Sequence, residues 1–313
     1  MELIEKVLKG ETRAIAKAIT LVENNHPDKE KFIDSIYSEC GKAVVWGITG
    51  PPGAGKSTLV DKLIEQERKN GKKVAIIAVD PSSPFSGGAV LGDRLRMQSH
   101  ATDPNVFIRS MASRGHLGGV AGATTDAVRV LDAAGFDLII IESIGVGQTE
   151  IEIIEVADIV LLVLVPGMGD EIQAMKAGVM EIGDIYVLNK KDHDGIDKLE
   201  AEVKYMLSLK RHDEPENPVV LTSAVENDGI VELTKTIEDY YSRLKNSDML
   251  QNKRKKRIKE EIQQILSSKI MIEINHYLET DKNLNKWAEK LINGEISPYS
   301  FFNDKIKNFL KES

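Results

Sequence analysis

The run Gly50-Pro51-Pro52-Gly53-Ala54-Gly55-Lys56-Ser57-Thr58 has the spacing G-x-x-x-x-G-K-[ST]. It follows an apolar run at 44–48 and precedes a helical pattern at 58–68, the context of a phosphate-binding loop between strand and helix. Glycines let successive backbone N–H groups converge on a β-phosphate, and the helix N-terminus adds its positive end. In such a loop Lys56 brings a point charge to the β- and γ-phosphates, and the Ser57 hydroxyl ligates Mg²⁺. All nine residues from Gly50 to Thr58 are candidate phosphate contacts.

Magnesium beside phosphates takes further oxygen ligands in octahedral geometry. Asp80, Asp93 and Glu142 fall at or just beyond the ends of apolar runs and join Ser57 as candidates for that shell. Gly145 follows Glu142 closely enough for its N–H to sense a γ-phosphate. Phosphoryl transfer to water also needs charge stabilisation and an oriented water. Lys56 and Glu142 are the first candidates for that chemistry. Arg96 is a candidate charge stabiliser and Gln148 a candidate for positioning the water, although Gln148 lies three residues beyond Gly145.

Asn189-Lys190-Lys191-Asp192 is an N-K-x-D sequence closing another apolar run. An Asp carboxylate here accepts from both N1–H and the exocyclic amine of guanine. Adenine lacks that donor pair, and leaving the carboxylate unpaired costs more than about 1–3 kcal/mol. Asn189, Lys190 and Asp192 therefore select GTP and GDP over adenine nucleotides. Thr222-Ser223-Ala224 is the loop expected to turn a backbone N–H toward guanine O6, and Ser223, Ala224 and Val225 are candidate nucleotide contacts.

These residues need a scaffold, and the pattern around them supplies one. Short apolar runs at 43–48, 74–79, 106–108, 138–141, 159–165, 185–188 and 219–221 alternate with helical segments. Continuous β-branched runs suit strands buried on both faces of a parallel sheet. Ligands of such sheets sit beyond the carboxyl ends of the strands, where every motif above falls. The fold class is α/β, a mostly parallel P-loop NTPase sheet flanked by helices. The chain divides into an N-terminal helical segment at 1–42, a nucleotide-binding domain at 43–245 and a C-terminal helical arm at 246–313. An apolar stripe including Ile258, Ile262, Ile265, Leu266 and Ile270 marks that arm as a subunit contact. The basic run Lys253-Arg254-Lys255-Lys256-Arg257 reads as a solvated helix face beside Glu260-Glu261.

Composition narrows the field further. With 49 acidic and 41 basic residues the net charge is −8, unlike a general polyanion binder, so no nucleic acid is expected as a partner. No stretch approaches the ~18 apolar residues of a membrane span, and the acidic start is unlike a targeting peptide. One cysteine, Cys40, leaves no internal disulfide. The cytoplasm is the expected compartment, without membrane attachment.

Together the motifs resemble the GTPases associated with methylmalonyl-CoA mutase, the MeaB/ArgK/MMAA family. The resemblance rests on stretches beyond the generic motifs: Gly10-Glu11-Thr12-Arg13-Ala14-Ile15, Val79-Asp80-Pro81-Ser82-Ser83-Pro84, Met111-Ala112-Ser113-Arg114-Gly115 with Leu117-Gly118-Gly119, Gly145-Val146-Gly147-Gln148, and Gly169-Asp170-Glu171-Ile172-Gln173. Two positions depart from the common form: Ser143-Ile144 after Glu142, and the interrupting His116. The family implies a dimerising P-loop GTPase with helical extensions, low intrinsic turnover stimulated by its partner, and magnesium-region acids at Asp80, Asp93 and Glu142. It implies mobile switch segments from Gly145 and from Gly167. It also implies chaperoning of an adenosylcobalamin-dependent acyl-CoA mutase: gating cofactor loading and protecting or reactivating the enzyme. Two alternatives are a P-loop kinase of a periplasmic amino-acid transport system and a metal-insertion GTPase. The first lacks a kinase catalytic loop here, and the second lacks Cys/His-rich motifs.

Overall fold

The computed structural model describes residues 2–80, 100, 102–112, 119–143, 155–167, 183–209, 217–280, 284–300 and 303. Three helices come first: α1 (Glu2–Leu8), α2 (Thr12–Glu23) and α3 (Lys29–Ile36). β1 (Val44–Thr49) leads through the glycine loop into α4 (Lys56–Lys69). There follow β2 (Val74–Asp80), β3 (Val106–Ala112), α5 (Gly119–Ala133), β4 (Leu138–Ser143), β5 (Ile159–Leu164) and β6 (Ile185–Leu188). α6 (Ile196–Ser208), β7 (Val219–Leu221) and α7 (Ile230–Asn246) complete the alternating part. Among the described residues α8 (Met249–Thr280) and α9 (Leu284–Ile292) follow.

The seven strands form one sheet in the order β3-β2-β4-β1-β5-β6-β7, and every pairing is parallel. Neighbouring residues along each strand point to opposite faces, and the core divides accordingly. Val45, Ile77, Ile139, Ile141 and Val160 lie with Ile15, Ile19, Phe32 and Ile36 of the N-terminal helices and Leu131 of α5. Trp46, Ile76, Ile140, Leu161 and Val163 lie on the other side with Leu59, Leu63 and Ile64 of α4 and Leu233 and Ile237 of α7. Fully burying each such side chain contributes about 1.5–3 kcal/mol. This two-faced burial is why the strands read as unbroken apolar runs rather than alternating ones. Two compact units are present, Met1–Lys259 and Glu260–Ser313.

The amino-terminal rim of the sheet shows where the basic run goes. Asp158, at the start of β5, is 1% exposed. Its carboxylate accepts from the Val45 N–H (3.2 Å), Arg254 Nη2 (2.6 Å) and Nε (3.0 Å), and Arg257 Nη2 (3.1 Å). Arg257 also donates to the Val156 carbonyl. Lys253 Nζ donates to the Asp158 carbonyl (3.0 Å) and to Asp184 Oδ2 (2.9 Å), which itself accepts from the Val160 N–H. Only Lys255 and Lys256 of the run are exposed. The expected solvated face is thus corrected: three of its five cations neutralise carboxylates that cap the starts of parallel strands. Cys40 is half-buried, and burial pushes its thiol up to about 11, which keeps it protonated and inert.

Candidate nucleotide site

At the opposite rim the phosphate loop turns on two glycines that nothing larger could replace. Gly50 has φ +144°, and an added Cβ would stand 2.2 Å from the Val163 carbonyl oxygen. Gly55 has φ +85°, and its Cβ would stand 2.5 Å from Asn189 Nδ2. Between them Ala54 is completely buried. Lys56, the first residue of α4, is 7% exposed; its ammonium donates to the carbonyls of Gly50 (2.7 Å) and Pro51 (3.0 Å). It is therefore held over the concave side of its own loop. Next to it, Ser57 Oγ donates to Glu142 Oε1 at 2.7 Å. The pair brings two hard oxygen donors together beside a phosphate cradle, a donor set that fits Mg²⁺. Below them, buried Ser143 Oγ donates to Thr49 Oγ1 (3.1 Å), joining the ends of β4 and β1.

Asn189 connects this loop to the base-binding side. Its Nδ2 donates to the Ala54 carbonyl (2.9 Å), while its Oδ1 accepts from Thr222 Oγ1 and from the Ala224 N–H, both at 3.1 Å. Lys190 takes φ +59°, which turns the chain so that Asp192 leaves the buried rim. The Asp192 side chain is 38% exposed. A hydrogen bond from the Ser223 side chain, with help from its own backbone N–H, holds its carboxyl below the usual carboxylate range. The loop after β7 is closed by paired backbone bonds between Ser223 and Asp228 (both 3.0 Å) and by the Lys191–Asp228 ion pair (2.6 Å). Val225 stands out at its tip, 83% exposed.

The structure thus brings together Gly50 to Thr58, Glu142, Asn189, Lys190, Asp192, Ser223, Ala224 and Val225. Asp80 ends β2, two strands from β1; its side chain lies outside the described residues, as do Asp93, Arg96 and Gln148. The switch segments beyond Gly145 and beyond Gly167 also lie outside them. The sequence does not mark Asp228 as the clasp of this loop, because nothing in a single Asp distinguishes a loop clasp from a surface residue.

A family model described as methylmalonyl Co-A mutase-associated GTPase MeaB matches residues 15–278. The chain belongs to the MeaB family. A relative from Pyrococcus abyssi is 50% identical over 306 residues, covering 96% of this chain and 93% of its own. GTPase ArgK of Escherichia coli is 34% identical over 306 residues, 95% of this chain and 92% of that protein. The mouse mitochondrial methylmalonic aciduria type A homolog is 32% identical over 311 residues, 93% and 75% respectively. Among solved structures, one titled LAO/AO transport system kinase superposes with a TM-score of 0.71 at 28% identity, covering 99% of this chain and 97% of that one. This MeaB-family chain is a P-loop GTPase. Among the described residues no helix is long and apolar enough to cross a membrane.

Proposed function

We propose that this GTPase works as a homodimer in the cytoplasm, coupling GTP hydrolysis to the loading and protection of an adenosylcobalamin-dependent acyl-CoA mutase. The observation that carries the proposal is the match to a mutase-associated GTPase over 15–278, which spans the nucleotide site and nearly all of α8. In this reading Gly50 to Thr58 wrap the phosphates and Asn189, Lys190 and Asp192 select guanine. Lys56 offsets the negative charge that develops on the transferring phosphoryl group. Ser57 and Glu142, with Asp80 and Asp93, hold Mg²⁺, which supplies charge neutralisation of the β- and γ-oxygens. Arg96 and Gln148 are assigned to charge stabilisation and water positioning. The dimer reading is supported by Ile258, Ile262, Ile265, Leu266 and Ile270 of α8, each between 44% and 55% exposed on one stripe.

Steady-state hydrolysis of GTP, with and without a purified cobalamin-dependent mutase, tests the proposal. A rate increase and a stable complex are expected; an unchanged rate with no complex by sedimentation would overturn it. The superposition on a transport system kinase motivates a control with terminally labelled GTP. Label on free phosphate supports hydrolysis, whereas label on a partner protein would support phosphoryl transfer to protein.

A further inference from the structure

On α4, one turn beyond Ser57, a different set of side chains converges. Asp61 and Glu65 are one helical turn apart and share a face. Buried His100, six residues before β3, places Nε2 3.0 Å from Asp61 Oδ1. One oxygen of each carboxylate and one ring nitrogen all lie within 4.8 Å of one another. The spot already draws positive charge: Lys62 Nζ stands 3.0 Å from Glu65 Oε1 and 3.5 Å from Asp61 Oδ2. Three residues past His100, Asp103 also binds α4, through Arg68 at 2.7 Å.

We propose that Asp61, Glu65 and His100 form a binding site for a borderline divalent ion of the Zn²⁺ class, separate from the Mg²⁺ position at Ser57 and Glu142. One imidazole with two carboxylates is a donor set that zinc accepts, whereas magnesium and calcium take oxygen ligands. Zinc donors lie about 2.0–2.2 Å from the ion, so side chains whose donor atoms already lie within 4.8 Å of one another need only a small adjustment around it. Lys62, with its side chain 23% exposed, can turn outward as the ion takes its place. Three protein ligands leave a fourth position for water. Bound there, the ion staples the approach to β3 onto the helix that begins at Lys56. Asp61 is four residues past Ser57, roughly 6 Å along the helix axis.

Calorimetric titration of ZnCl₂ into the full chain, saturated with GDP and Mg²⁺, tests this. One Zn²⁺ per chain is expected in the presence of excess Mg²⁺. His100→Ala and Glu65→Gln should each weaken that uptake by more than about tenfold, in line with losses seen when even supporting groups of metal sites are removed. Lys62→Ala should strengthen it, since the competing ammonium is gone; a cluster serving only as a surface ion-pair network gives no such gain. Glu65 is partly exposed, so its Gln variant keeps the test valid if His100→Ala fails to fold. No uptake by the wild type, uptake unchanged in Glu65→Gln, or displacement of Zn²⁺ by Mg²⁺ would each overturn the proposal.

Discussion

The two rims of one parallel sheet hold the same residue types and put them to opposite uses. At the amino-terminal rim, Asp158 and Asp184 meet Arg254, Arg257, Lys253 and the N–H groups of Val45 and Val160 near the starts of β1 and β5. Charge there is closed on itself. At the carboxyl-terminal rim, backbone carbonyls accept from Lys56, and hydroxyls donate to Glu142 and Asp192. At one rim guanidinium groups lock a buried carboxylate into the structure, and at the other carbonyls and hydroxyls hold charged side chains at the nucleotide loops. The difference is one of partner, not residue type.

The sharpest way to break the comparison is to remove one charge from each rim. Lys56→Ala is expected to lower GTP turnover by about 10²–10³-fold, the scale of losing one charge-stabilising donor, with the denaturant midpoint little changed. Asp158→Ala should do the reverse. It leaves two guanidinium groups and the Val45 N–H without their acceptor, costing about 3 kcal/mol in urea unfolding while GDP affinity stays at the wild-type level. If the Asp158 variant instead lost nucleotide affinity and kept its stability, the division between rims would be wrong.

A milder change sharpens the same contrast. Arg257→Ala leaves Arg254 on Asp158, so about 1 kcal/mol of stability should be lost, and less at high salt because these guanidinium groups are partly exposed. The smallest effect concerns pH. The Ser223 hydrogen bond favours the charged form of Asp192, which therefore stays ionised as pH falls into the range where an ordinary aspartate, near 3.9, gains its proton. Ser223→Ala moves the carboxyl upward, so GDP affinity should fall off at a higher pH than in the wild type. Identical affinity–pH profiles by fluorescence titration would remove Ser223 from the base site.

How far the molecule could be read from its sequence follows the same division. The carboxyl-terminal rim was legible because its chemistry is packed into contiguous runs, Gly50 to Thr58 and Asn189 to Asp192, and because unbroken apolar strands announced a doubly covered parallel sheet. Strand ends were also found closely, β6 and β7 to the residue, since Pro and polar residues bound them. The amino-terminal rim was illegible for the converse reason. Asp158 and Arg254 are 96 residues apart, and nothing local in Lys253 to Arg257 separates a clamp from a solvated face. A separation of 39 residues between His100 and Asp61 likewise hid their convergence.

Calorimetric titration of the purified chain with GDP and with ADP, each with Mg²⁺, tests the central claim most directly. GDP should bind at least about 100-fold more tightly than ADP, the scale set by leaving a ligand-facing carboxylate unpaired, and Asp192→Ala should erase most of that gap. Equal affinity for the two nucleotides, or a preference that survives Asp192→Ala, would contradict it.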